Sequence, residues 1–188
     1  DPKSNGGGLD GPGSDKLTKF VDLCDAFNLP IVNFVDQPGF MLGVTSEASG
    51  TIKRGVRALS AIYQAEVPWS SVVVRRAFGV AGAGHQNHAR WNYRIAWPSG
   101  DWGSLPVEGG VMAAYRRDIE AADDPAAYQA EIEEKLNALR SPFRTAEAFN
   151  IEEIIDPRDT RELLCEWVEL VYRSLDTIVG PKRRGTRP

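Results

Sequence analysis

The chain has 188 residues, of which 42% are hydrophobic and 26% are charged. This length suits one domain of ~150 residues with room for an appendage, and the composition excludes disordered and fibrous proteins. The 22 Lys and Arg against 26 Asp and Glu give a net charge of −4, which argues against a nucleic-acid partner bound through a basic field. No apolar run approaches the ~18 residues of a membrane span and no signal-peptide pattern opens the chain, so we expect no membrane partner.

The cysteine and histidine content bears on compartment and metals. Cys24 and Cys165 fall in amphipathic helical patterns, which predicts two buried, reduced thiols in a cytoplasmic protein. With His85 and His88 they form no zinc-binding spacing, so we expect no metal site.

The opening segment, residues 4–14, is rich in glycine and has no apolar periodicity, which predicts a loop. A loop that begins a chain suggests a fragment, a processed product or one half of a split polypeptide. A frayed terminus explains it equally well.

Helices are predicted wherever apolar residues recur at helical spacing. The first covers 14–28 with Ser14 as its N-cap, and the second covers 50–66. A third begins near Val80 and runs toward Arg90. Further along, amphipathic patterns predict helices over 111–139, split at Asp123-Asp124-Pro125, and over 160–178.

Strands are predicted at 31–35, 71–74 and 93–98, where β-branched and aromatic residues cluster. Strands that alternate with helices over such long connections pair in parallel through right-handed crossovers. Strand signals vanish after about residue 110. We therefore expect an α/β core over 1–110 and a helical C-terminal arm over 111–188.

Two loops carry the candidate chemistry, and both follow a predicted strand, where open parallel sheets bind ligands. In the first, residues 36–43, Phe40 and Met41 could form a pocket wall or simply tuck into the core. In the second, residues 78–84, three glycines expose the backbone N–H groups of a helix start, which can bind an anion or a developing oxyanion. Tight packing of that helix on its strand is the alternative.

Other charged and titratable residues have simpler explanations. His85 and His88 could act as bases or ligands, but no nucleophile elbow accompanies them, and helix-surface or interface positions are favoured. Arg75 and Arg76 could pair with phosphates or carboxylates, or be flanking charges at a strand end. The basic tail at 182–188 and the acidic helix face at 118–134 are most simply solvated.

The residues also resemble a known family, the biotin-dependent acyl-CoA carboxyltransferases, and within it the propionyl-CoA carboxylase β-subunit group. The similarity lies in the C-terminal half of that family and keeps its order and spacing over nearly the whole chain. It is carried by Phe20-Val21, Cys24 to Ile31, Phe34 to Phe40, Gly43, Gly50, Ile52, Gly55, Ala58-Leu59, Val67-Pro68, Arg75 to Gly79, Ala96 to Pro98, Glu108-Gly109, Ser141 to Phe143 and Ile154 to Pro157.

The resemblance implies a crotonase-like (ClpP/crotonase) spiral of ββα units. It implies that this chain corresponds to the C-terminal carboxyltransferase domain and that the N-terminal half, absent from this chain, is a partner. In the family the active site lies between the first half of one subunit and the second half of another, in a hexameric ring. A biotin carboxyl carrier and a biotin carboxylase are further implied partners, in the cytoplasm or, in a eukaryote, the mitochondrial matrix.

The implied reaction moves CO2 from carboxybiotin to the α-carbon of an acyl-CoA. Both enolates of the reaction need backbone amide donors, and no side-chain base is required. By position, the amides of Val80 and Ala81 form the oxyanion hole on the biotin side. With biotin as the implied cofactor, we expect the crevice between the two loops to bind its ring against Pro38, Gly39, Phe40, Gly79 and Gly82. The resemblance implies that Ala83 lines the acyl pocket.

The sequence departs from the family at the second loop and also at residues 101–106, which differ from the usual family loop. Val80 stands where the family usually has Gly, and Gly82 and Ala83 replace Tyr and Asp. The substrate could therefore carry a larger or a polar acyl group, or not be the usual acyl-CoA. Two alternatives to the carboxylase remain. One is an acyl-CoA decarboxylase subunit, of the sodium-pump type or free, and the other is a non-catalytic structural half-subunit.

Overall fold

The computed structural model describes residues 3–87, 90–148 and 150–182. Its strands are β1 (Ile31–Gln37), β2 (Trp69–Phe78), β3 (Asn92–Ala96), β4 (Asp101–Gly103) and β5 (Glu153–Ile154). Its helices are α1 (Gly11–Ala26), α2 (Val44–Ala48), α3 (Thr51–Gln64), α4 (Gly79–Ala83), α5 (Val107–Ala121), α6 (Pro125–Asn137), α7 (Pro142–Glu147) and α8 (Thr160–Ile178). His88 and residues 183–188, which include the arginines of the predicted basic tail, lie outside the described residues.

The strands form one parallel sheet in the order β1-β2-β3-β5. The first part of β2 pairs with β3, and its last part pairs with β4, where Arg76 to Phe78 lie opposite Asp101 to Gly103. Parallel pairing confirms the crossovers expected from the sequence. Two short strands were missed by the sequence prediction, β4 and β5, because runs of two or three residues carry no periodicity.

Helices cover both faces of the sheet. On one face, Val21 and Cys24 of α1 and Ala61 and Ile62 of α3 pack against Trp69. On the other, a cluster built on Val72 and Ile95 is covered by Leu163 and Leu164 of α8. The result is a three-layer α/β/α arrangement in which helices pack on both sides of the parallel sheet.

The predicted start of the first helix was wrong. The helix begins at Gly11 with Asp10 as its N-cap, and Asp10 accepts a hydrogen bond from the Gly13 N–H at 2.8 Å. Pro12 fits the first helical turn, where no N–H is needed. Ser14 is therefore a buried residue within α1, and its hydroxyl donates to the Asp10 carbonyl oxygen at 2.8 Å.

The predicted third helix was also wrong in length, because α4 ends at Ala83. Hydrogen bonds to other elements hold the following segment in an irregular path. The Ser71 hydroxyl donates to the His85 carbonyl oxygen at 2.5 Å, and the Asn87 side-chain amide donates to the Ile62 and Ala65 carbonyl oxygens at 2.7 and 2.9 Å. These hydrogen-bond partners lie far away in sequence, so no local sequence pattern predicts them.

The C-terminal region is confirmed as largely helical, and α5 and α6 separate at the predicted Asp-Pro break. One of its segments returns to the sheet as β5, beside β3. The boundary proposed near residue 110 stays a prediction. Cys24 is buried as expected, but Cys165 is exposed on α8, so the prediction of a second buried thiol was wrong.

No helix within the described part of the chain is both long and apolar enough to span a membrane. In those same residues, no group of three or more His, Cys, Asp or Glu side chains lies close enough together to hold a metal ion.

Candidate active site

The two candidate loops leave the sheet at the same edge. β1 and β2 are parallel, and Gln37 near the end of one lies opposite Ala77 near the end of the other. The Gln37 side-chain amide donates to the Gly39 carbonyl oxygen at 2.9 Å, which fixes the first loop. A Cβ atom at Gly39 would lie 4.0 Å from the Phe78 carbonyl oxygen, so the two loops touch.

Phe40 is held in place on two sides. Its backbone bridges to Leu9, and the Met41 N–H donates to the Leu9 carbonyl oxygen at 2.9 Å. Its ring packs on α3 so closely that a Cβ at Gly55 would come within 2.4 Å of it. Phe40 is half-buried, so it forms a fixed wall rather than a mobile loop side chain.

The short helix α4 is fixed against β2 by two glycines. Gly79 has a φ of +59°, a left-handed conformation that favours glycine. A Cβ at Gly82 would lie 2.3 Å from the Ala77 carbonyl carbon, so helix and strand touch backbone to backbone. Ala81 points into the interior at 3% exposure, while Val80 is 65% exposed.

One side of α4 borders an apolar cavity of about 420 Å³, the apolar cavity hereafter. It holds five of the residues singled out from the sequence, in both loops, together with residues of α3, of the segment after β4 and of α5. Its lining is Pro38, Gly39, Phe40, Leu42, Ile52, Phe78, Gly79, Val80, Ser104, Leu105, Pro106, Gly109, Gly110 and Ala113.

The other side of α4 borders a second cavity of about 290 Å³, the polar cavity hereafter. Gly82 and Ala83 lie here and not beside Phe40, whereas Gly79 borders both cavities. Its lining is Ala77, Gly79, Gly82, Ala83, Gln86, Arg94, Trp102, Gly103, Thr145 and Asn150. The sequence-predicted residues are thus divided between two neighbouring spaces.

The two arginines at the end of β2 are paired with Asp36. Arg75 Nη2 lies 2.7 Å from Asp36 Oδ2, and Arg76 Nε lies 2.9 Å from Asp36 Oδ1. Partial burial alone raises the pKa of Asp36, but the hydrogen bonds from both arginines outweigh it and hold the pKa at about 2. This carboxylate therefore joins the ends of β1 and β2, and the arginines serve the fold.

His85 lies beside the sheet, and the helix-surface prediction was wrong for it. Its Nδ1 lies 3.0 Å from the Asn33 side-chain amide, and its Nε2 lies 3.4 Å from Gln37 Oε1. Burial, reinforced by the positive charge of Arg94, lowers the pKa of His85 to about 4. The imidazole is neutral at pH 7 and acts here as a hydrogen-bonded structural group.

Several residues that line the two cavities were not predicted as site residues from the sequence, among them Trp102, Leu105, Arg94 and Thr145. Trp102 and Leu105 belong to the 101–106 segment, which differs from the usual family loop, and that difference was the available signal. Arg94 lies within β3, and no motif in the adjacent sequence indicates that it belongs to a binding site.

Comparison with known proteins establishes the family. The chain belongs to the carboxyl transferase domain family, whose model matches residues 1–185. It is 39% identical over its full length to the methylmalonyl-CoA carboxyltransferase 12S subunit of Propionibacterium freudenreichii subsp. shermanii, covering 36% of that protein. It is 38% identical, over 87% of its length, to the propionyl-CoA carboxylase carboxyltransferase subunit of Haloferax mediterranei, covering 32% of that protein.

A solved structure agrees. The transcarboxylase 12S crystal structure, described as a hexamer assembly with methylmalonyl-CoA and methylmalonic acid bound, aligns over 100% of this chain and 36% of that one, with a TM-score of 0.78 and 35% identity. The crotonase-like fold class is confirmed. The chain spans about a third of the length of these relatives.

Proposed function

We propose that this chain provides the C-terminal half of a carboxyltransferase active site in a biotin-dependent acyl-CoA carboxylase. Such an enzyme moves a carboxyl group between carboxybiotin on a carrier protein and the α-carbon of an acyl-CoA. The observation that carries the proposal is the apolar cavity at the shared edge of β1 and β2, in a chain that belongs to the carboxyl transferase domain family.

The apolar cavity fits the bicyclic ring of biotin. Small-molecule sites are mostly apolar with a few convergent polar groups, and this one has aromatic and aliphatic walls with backbone at its rim. Pro38, Gly39 and Phe40 form one wall, and the packing of Phe40 on α3 keeps that wall in place. When bound, carboxybiotin supplies the CO2 and the group that accepts the substrate proton.

The start of α4 can supply donors for the reaction. The first N–H groups of a helix have no intrahelical partner, and here they belong to Gly79, Val80 and Ala81. The amides of Val80 and Ala81 are proposed to donate hydrogen bonds to an oxygen that gains negative charge. Since these donors are backbone groups on an element locked to β2, they are preorganised.

An exposed apolar stripe supports association with other chains. It continues from the apolar cavity across α1 and α3, and such surface marks interaction sites. Its residues, each at least 46% exposed, are Phe20, Leu23, Phe27, Leu42, Ile52, Val56, Tyr63 and Val80. We propose that the N-terminal carboxyltransferase half covers it in a hexameric core that works with the biotin carboxylase and carrier in the cytoplasm.

Reconstitution tests the proposal. The chain is combined with an N-terminal carboxyltransferase half, carboxylated carrier protein and propionyl-CoA, and appearance of methylmalonyl-CoA is measured. Transfer by the complete mixture, and none when this chain is left out, is the expected result. A mixture that only decarboxylates would indicate the decarboxylase, and transfer without this chain would indicate the structural half-subunit.

Association is tested separately by sedimentation velocity. We expect the isolated chain to self-associate at micromolar concentration because the apolar stripe is uncovered. A monodisperse monomer that unfolds cooperatively would contradict this expectation.

A further inference from the structure

The polar cavity contains a cation whose hydrogen-bonding capacity is largely unused. Arg94 Nε is buried and has no hydrogen-bond partner within the described residues. In that same part of the chain, the guanidinium makes one hydrogen bond, from Nη1 to the Asn150 carbonyl oxygen at 3.4 Å. A buried donor without a partner is costly, and more so when it is charged, so this arrangement calls for an acceptor.

No carboxylate of the described chain is placed to be that acceptor. Glu152 is the acidic residue nearby, but its Oε2 accepts a hydrogen bond from the Arg94 backbone N–H at 2.5 Å, and its side chain is exposed. Burial lowers the pKa of Arg94 and the charge of Glu152 opposes that shift, yet a guanidinium stays protonated in proteins. The cavity therefore has a positive wall.

The rest of the lining suits a small planar anion. The Thr145 hydroxyl accepts a hydrogen bond from Trp102 Nε1, which leaves its own proton free to be donated. The Trp102 ring, Ala77 and Ala83 provide apolar walls, and Gly82 adds no side chain. A space of about 290 Å³ has room for a carboxylate and a few carbon atoms behind it.

We propose that the polar cavity binds a carboxylate side-on along the Nε and Nη2 edge of Arg94, with Thr145 as a second donor. An arginine fork matches the two oxygens of a carboxylate, which explains why this edge is left open. The carboxylate belongs to the far end of the acyl group of an acyl-CoA, because Gly79 borders both this cavity and the apolar one. This choice of carrier rests on the proposed function.

Binding is tested without any need for catalysis. Glutarate is titrated into the reconstituted complex by calorimetry, for the wild type, Arg94→Gln and Arg94→Lys, with Arg173→Gln on the surface of α8 as the matched loss of one positive charge. We expect Arg94→Gln to weaken glutarate about 10- to 100-fold, Arg94→Lys to weaken it less, and Arg173→Gln to change nothing. Equal glutarate affinity in wild type and folded Arg94→Gln overturns the proposal.

A second variant leaves Arg94 unchanged. Ala83 is exposed and lines the polar cavity, so Ala83→Asp adds a carboxylate at its rim with little risk to folding. We expect Ala83→Asp to abolish glutarate binding, and Ala83→Asn, of similar size but neutral, to keep most of it. Similar binding by both variants contradicts a site that selects charge.

Kinetics then identify the carrier of the carboxylate. The ratio of kcat/KM for glutaryl-CoA to that for pentanoyl-CoA should exceed about ten in the wild type and approach one in Arg94→Gln. If the ratio is near one in the wild type although glutarate binds at Arg94, the polar cavity binds a free carboxylate. The proposal that the carboxylate belongs to the acyl group is then overturned. Glutarate binding in a complex that transfers no carboxyl group would contradict the proposed function and leave the carboxylate site standing.

Discussion

The apolar and polar cavities share the backbone of Gly79, and their other walls differ in chemistry. The apolar cavity has a phenylalanine wall braced against a helix and polar groups only at its rim. The polar cavity has a partly buried guanidinium, a hydroxyl and an amide facing one space. A five-residue helix is enough to separate the two, because its glycines let it lie directly on β2. α4 is therefore a partition between two spaces of different chemistry, and the proposals above assign a different ligand group to each.

The largest loss of activity is expected when a backbone N–H donor of α4 is removed. Ala81→Pro removes one N–H while proline remains tolerable in the first turn of a helix. Loss of one oxyanion donor typically lowers the rate ~10²–10³-fold, about 2.7–4 kcal/mol. Val80→Gly keeps the donor and should keep or raise activity. The assay is carboxyl transfer by the reconstituted complex, with circular dichroism to verify folding. Full activity in folded Ala81→Pro would remove the donor role and favour a structural half-subunit.

The next largest effect is the loss of stability at low pH that we expect from His85, which follows α4 and is hydrogen-bonded to Asn33 and Gln37 of β1. Its pKa is about 4 in the folded protein and 6.5 ordinarily, so between these values the unfolded chain binds a proton that the folded chain does not. The contribution of the neutral His85 to the free energy of unfolding is therefore fully present above pH 6.5. It decreases as the pH falls toward 4, by at most about 3 kcal/mol.

Urea unfolding at pH 7.5, 5.5 and 4.5, at one protein concentration, measures this loss. His85→Gln should be less stable at pH 7.5 but lose less on acidification than the wild type. Identical pH dependence of the two proteins would show that His85 does not titrate in this window.

Gly82→Ala tests the close backbone contact between Gly82 of α4 and Ala77 of β2. The added methyl group meets the Ala77 backbone, which cannot move without the sheet. We expect the free energy of unfolding to fall by about 1–3 kcal/mol. Gly84→Ala is the matched control, because its methyl group meets the end of the flexible Leu59 side chain. Equal losses in the two variants, measured by urea unfolding, would contradict the close packing of α4.

The smallest effect is expected at the wall of the apolar cavity. Phe40→Ala should lower kcat/KM with free biotin about tenfold, or about 1.4 kcal/mol, because one face of the ring pocket is lost. Tyr172→Ala is the control, since Tyr172 is 54% exposed on α8 and lies outside both this cavity and the apolar stripe. Unchanged turnover with free biotin in Phe40→Ala would mean that the wall is placed wrongly.

The sequence predicted the parts of the molecule that depend on local chemistry. The parallel strands, the crossover helices and the shared edge of the two loops follow from periodicity and turn residues. The site roles of Pro38 to Phe40 and of Val80 depend on the family resemblance and stay predictions. The polar cavity was not found, because Arg94, Trp102 and Thr145 come from separate elements that only the folded sheet brings together. The end of α4 was missed for the same reason, since its hydrogen-bond partners are remote.

The contact between Gly82 and the backbone of Ala77 also constrains how this site can change by mutation. The resembled family usually has Tyr and Asp where this chain has Gly82 and Ala83. Position 83 is open and can exchange residues in one step, whereas any side chain at position 82 collides with the sheet until α4 has shifted away. The two positions are therefore unequal in evolutionary accessibility. A lineage that converts this chain to the usual motif, in nature or in a directed-evolution experiment, must first acquire a mutation that moves the helix, so the order of substitutions is set by that single backbone contact.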